Sequence, residues 1–120
     1  MQYLALIYGD QTAWESISPE EREGVYSQYR AFSEEAQKAG VVAGGEELDS
    51  TSTATTVRVR GDETLVTDGP FAELKEALGG YFVLECSSID DACAWAAKIP
   101  GASYGAIEVR PINVGQPKPS

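Results

Sequence analysis

The stretch Ser18–Gly40, SPEEREGVYSQYRAFSEEAQKAG, sets the frame for the rest of the chain. Serine as N-cap, Pro19 at the first helical position and Glu21 at the third form a capping-box start. Val25, Tyr29, Phe32 and Ala36 then recur at spacings of four, three and four, which places them on one face of a helix. Lys38 near the carbonyl end and Gly40 beyond it supply the stop. A long amphipathic helix with a single apolar stripe needs one sheet or one helix layer to cover it. Strand-like segments on both sides decide in favour of a sheet.

Upstream, Tyr3–Tyr8 is an apolar run of strand length closed by Gly9-Asp10. Downstream, Val41–Leu48 (VVAGGEEL) reads as a second core strand, with Gly44-Gly45 marking a bulge or a close backbone approach. Ala54–Arg60 alternates, with Thr56, Arg58 and Arg60 on one side and Thr55, Val57 and Val59 on the other. Gly61-Asp62 separates it from Thr64–Thr67, a hairpin signal. Asp68-Gly69-Pro70-Phe71 breaks the second strand, and Ala72–Leu78 is expected to make a short helical turn. Gly79-Gly80 leads into the apolar strand Tyr81–Cys86. Ser88–Asp91 caps a second helix in which Ala92, Trp95, Ala96 and Ile99 share a face, and Pro100-Gly101 ends it. Tyr104–Arg110 is the last strand, and the segment from 113 to 120, with two prolines and a glycine, is expected to be a flexible tail beyond a single domain over 1–112.

Set apart the hairpin, and the order is β-α-β-β-α-β, the split arrangement of ferredoxin-like α+β folds. Both helices then lie on one face of an antiparallel sheet. Apolar residues such as Tyr3 and Val83 make a wholly polar second face improbable, so a dimer packed sheet to sheet is expected.

Composition narrows the function classes. The 120 residues carry 19 acidic and 9 basic side chains, a formal charge of −10, and no histidine. Histidine-based metal sites, Ser-His-Asp and Cys-His catalysts and a strongly basic nucleic-acid surface are thereby excluded. Cys86 and Cys93 lack ligand spacing and are expected to be buried free thiols. No D-x-D or EF-hand spacing supports a divalent metal, and neither metal nor cofactor is expected. No run approaches the roughly 18–20 apolar residues of a membrane span, and MQYLALIYGD lacks a basic leader. A cytoplasmic protein without direct nucleic-acid or membrane contact is the expectation.

The densest motif is Leu65–Glu76, LVTDGPFAELKE, in which charged side chains surround a rigid Gly-Pro turn. Glycine permits unusual dihedrals and proline fixes the next one, so Asp68 is held in a defined direction. An aspartate before Gly-Pro also commonly hydrogen-bonds its own turn, and both readings stay open. The motif Thr67-Asp68-Gly69-Pro70-Phe71-Ala72-Glu73, with Lys75-Glu76 and Gly79-Gly80-Tyr81, closely resembles the YCII-related proteins of the DGPF-domain group. The resemblance extends to Tyr3-Leu4, Tyr8-Gly9-Asp10, Gly44–Leu48, Thr55–Arg58 and Glu108–Pro111. It implies a dimeric α+β barrel of ferredoxin-like subunits, a bacterial origin and, for many members, an encoded neighbour that is an extracytoplasmic-function sigma factor.

The resemblance also implies a histidine-aspartate active-site pair in the wider superfamily, whose aspartate corresponds to Asp68. Without histidine that pair cannot operate here, and acid-base work falls to carboxylates, tyrosines or Lys75. Asp68 is the candidate general acid or base, with Glu46 and Tyr8 in support; Asp68, Glu46 and Asp10 lie at or near strand ends, and two of them in one cleft would push their pKa values apart. Arg58 and Lys75 are candidates to hold an anionic group of a small-molecule ligand, and Tyr81 to orient it beside Gly69, Pro70 and Phe71. Tyr8 and Tyr81 serve equally well as core or interface aromatics. The second function class is a regulatory protein acting with a sigma factor, for which an acidic surface suits a basic protein partner.

Overall fold

A computed structural model describes residues 1–114. The elements run β1 (Gln2–Asp10), α1 (Gln11–Ser16), α2 (Pro19–Lys38), β2 (Val42–Glu47), β3 (Thr55–Arg60), β4 (Glu63–Asp68), β5 (Glu76–Glu85), α3 (Ile89–Ala96) and β6 (Ala106–Pro111), with short 3₁₀ turns at Thr51–Thr53 and Pro100–Ser103. The main sheet has the order β2-β5-β1-β6, with each neighbouring pair antiparallel. With β3 and β4 set apart, that is the ferredoxin-like order. The two remaining strands form a separate two-stranded sheet.

The α2 start carries both halves of the capping box: the Glu21 amide donates to Ser18 Oγ at 3.1 Å and the Ser18 amide to Glu21 Oε1 at 3.4 Å. The apolar stripe packs as its spacing requires, with Phe32 and Ala36 buried and Tyr29 half-buried. Ala92, Ala96 and Ile99 from α3 and its exit join Tyr3, Ala5 and Leu84 from the sheet in the same core. The Phe82 ring bridges the layers, 5.1 Å from Phe32 and stacked at 6.5 Å on Tyr29. At the sheet's other edge Gly45 is obligatory, since a Cβ there would sit 2.7 Å from the Tyr81 carbonyl oxygen. The bulge expected in this strand falls between Val42 and Gly44.

Gly24, inside α2, has open space around it. Gly24→Ala should therefore raise stability by about 0.5–1 kcal/mol, read as a higher urea midpoint at unchanged slope; a lower midpoint would show that α2 carries a constraint its surroundings do not reveal.

Two expectations need correction, and one element adds to those expected. Ala72–Leu78 forms no helical turn: β5 begins at Glu76, and Gly79-Gly80 lies within the strand, beside a register shift against Ile7-Tyr8. Pairing with β1 outweighs the helical leaning of this segment. The six-residue helix α1 was not anticipated. It is capped by Asp10, whose Oδ1 accepts from the Ala13 amide at 3.1 Å. Arg22 clamps it to α2, donating to the carbonyls of Trp14 and Glu15 at 3.3 and 3.0 Å and lying 5.6 Å from the Trp14 ring centroid. Finally, Cys86 is buried but Cys93 is exposed, because Ala92 and Ala96 turn the inner face of α3 to the core and Cys93 falls outside it. Of the expected tail, 113 and 114 have no regular structure and 115–120 lie outside the described residues.

Candidate functional site

Side chains alternate along each strand. Tyr3, Ala5 and Ile7 face the helices, so Leu4, Leu6 and Tyr8 of β1 face the other way. Their register partners Val83 and Tyr81 on β5 share that open face, as does Glu46 on β2, opposite Tyr81. The fold thus brings Glu46, Tyr81 and Tyr8 to one surface; Tyr8 and Tyr81 are half-buried and Glu46 is exposed.

Asp68 stands elsewhere, at the end of β4 and paired with Thr55. Its carboxylate is exposed and accepts no hydrogen bond among the described residues. The turn that follows is built as the motif implies. Gly69 takes φ +99°, its amide donates to the Ala54 carbonyl at 2.7 Å, and Thr56 Oγ1 donates to the Gly69 carbonyl at 2.8 Å. Pro70 is half-buried and Phe71 is exposed. Arg58 pairs with Leu65 and, by alternation, projects from the face of the hairpin opposite Asp68.

A concave site lies where the chain from this turn enters β5. A groove of about 520 Å³ is lined by Asp10, Leu74, Lys75, Glu76 and Tyr104. Asp10 and Glu76 are register partners at the end of the β1–β5 ladder, which places two carboxylates side by side next to an ammonium and a phenol. Partial burial pushes the Tyr104 phenol above its ordinary range, so it stays protonated, a hydrogen-bond donor and a weaker acid than in water. Nearby Tyr29 is pushed up to about 12, chiefly by burial and further by Tyr104, with a backbone hydrogen bond at Gly101 acting the other way. Of the sequence-derived candidates, Lys75 and the strand-end carboxylate Asp10 line the groove. Asp10 and Glu76 were visible as a strand-end carboxylate and as part of the charged motif; Leu74 and Tyr104 carried no signal, since only strand register brings them in.

The raised Tyr29 value has a measurable consequence. The neutral phenol is favoured by the fold, so its stabilising contribution is complete below about pH 10 and fades as pH rises toward 12. In a titration followed at 295 nm, a tyrosine with a midpoint of about 12 should disappear in Tyr29→Phe. Amplitude lost near pH 10 instead would place Tyr29 in water.

The order β2-β5-β1-β6 with helices on one side defines an α+β protein of ferredoxin-like topology. Within that class the chain belongs to the YCII-related domain family, whose pattern it matches over residues 1–114. It is also 37% identical over 119 residues to an uncharacterized protein of Rhizobium meliloti (strain 1021), covering 98% of this chain and 96% of that relative. No helix among the described residues is long and apolar enough to cross a membrane.

Proposed function

We propose that this protein is a small-molecule-binding member of the YCII-related family, of the DGPF type, that works as a homodimer. The groove of Asp10, Leu74, Lys75, Glu76 and Tyr104 carries the reading, because it sets both charge signs, a phenol and an apolar wall within one concavity. That set suits a small polar ligand with an anionic group for Lys75 and a donor group for the paired carboxylates. Asp68 lies eight residues before Glu76, at the turn whose chain lines the groove. Acid-base work by this exposed carboxylate requires a second surface to enclose it. A second subunit provides such a surface.

Surface area supports the dimer. A compact monomer of 12.8 kDa exposes about 6,300 Å², whereas this chain exposes 8334 Å². The difference, about 2,000 Å², exceeds the roughly 800 Å² that each partner of a standard interface buries.

The test is a thermal-shift and chemical-shift screen against small carboxylates, amino acids and phosphorylated metabolites. A binder should raise Tm in the wild type and lose at least tenfold in affinity in Lys75→Ala, with the apo Tm unchanged. Binding unaffected by Lys75→Ala, or no binder in the whole screen, would sink the reading.

A further inference from the structure

The β3–β4 hairpin stands apart from the main sheet, each of its strands six residues and about 20 Å long. Register gives it two distinct faces. Thr55, Val57 and Val59 pair with Asp68, Val66 and Thr64 on one, and Thr56, Arg58 and Arg60 pair with Thr67, Leu65 and Glu63 on the other. On the first face Val57, Val59 and Val66 are 60%, 60% and 65% exposed. Two-stranded hairpins are at best marginally stable alone in water. One whose best side chains face solvent is poorly supported by its own chain.

We infer that the hairpin is an arm that lays its valine face on a second copy of this chain, a reading that rests on the homodimer proposed above. Three observations select that occupant. The radius of gyration is 16.3 Å against about 13.6 Å for a compact chain of this length, so the chain reaches outward. The same chain carries a second apolar surface, the open sheet face with the half-buried Leu4, Leu6, Tyr81 and Val83. The surface excess is more than a standard interface needs. Charge bears on the contact: a chain at −10 repels its copy, and the valine face adds only Asp68, at its base, while the open sheet face carries Glu46 and Glu108. The residues that follow the described region, GQPKPS, have no large apolar side chain with which to cover the valines.

The test is analytical ultracentrifugation of the wild type and of Val57→Thr/Val66→Thr, with hydrogen exchange over residues 57–66 at subunit concentrations above and below the dimer dissociation constant. Threonine keeps the shape and strand preference of valine, so the arm's backbone is preserved while its face is made polar. The expected result is a dissociation constant raised at least tenfold in the variant and arm amides protected only in the dimer. A wild-type dimer with an unaltered constant in the variant and unprotected arm amides would overturn the arm and leave the homodimer standing. A wild type that stays monomeric to about 100 µM, far above the dissociation constants of stable homodimers, would overturn both.

Discussion

Gly105→Ala is expected to cost about 3 kcal/mol or more, the largest effect of any single methyl added to this fold. A Cβ at Gly105 would lie 2.2 Å from the Tyr8 carbonyl oxygen and 3.2 Å from that of Gly101. Both neighbours are backbone, and neither is free to move. The Gly105 amide donates to the Gly101 carbonyl at 2.8 Å, closing the turn into β6, while Tyr8 is held in register with Ala106 and Leu78 on either side. Relief would demand either reopening that turn or pushing β6 away from β1 at the point where their ladder ends. Urea unfolding should show a midpoint lowered by more than 1 M for a typical slope, with the slope itself unchanged. A shift below a few tenths of a molar would mean that β6 is not seated against β1 as described. Gly24→Ala, an added methyl in open space, is the natural control.

Leu84→Ala comes next, at about 3 kcal/mol within the 2–5 range of buried leucine truncations. Leu84 has no exposure at all and sits in β5 opposite Tyr3 on one side and Val42 on the other. The core it shares includes small buried residues, Ala5, Ala36, Ala92 and Ala96, all carried on strands or helices. Alanines cannot swing into a vacated space, so the cavity should stay largely open and the cost should lie in the upper part of the range. Denaturant unfolding measures it. A cost below 1 kcal/mol would show that α2 or α3 collapses toward the sheet.

These two sites differ in how far the sequence reveals them. Leu84 stands out within an apolar run, and the α2 stripe with its Ser18–Glu21 cap is read directly, because cap and stripe are local features with fixed spacing. The ferredoxin-like order follows once those elements are placed. Ala72–Leu78 misleads, since its composition favours helix while its partner in β1 lies about seventy residues away in sequence. QTAWES is too short for a periodic stripe, and its helix depends on Asp10 from the preceding strand and Arg22 from the following helix. The same limit governs the candidate site. Asp68-Gly69-Pro70 is legible as a turn because glycine and proline state their own dihedrals. The groove is not, because Asp10, Glu76 and Tyr104 meet only through register.

The unequal setting of the two cysteines makes the protein easy to label. Cys93 is exposed on the outer side of α3, and Cys86 is buried, its thiol pushed up by burial and by Asp91. A maleimide reagent at neutral pH should therefore modify Cys93 first. The attached dye would sit over the helical layer, on the side of the sheet away from Leu4, Leu6 and Val83. Donor- and acceptor-tagged batches, once mixed, would then report by energy transfer whether subunits of the proposed homodimer exchange, without a probe on the open sheet face.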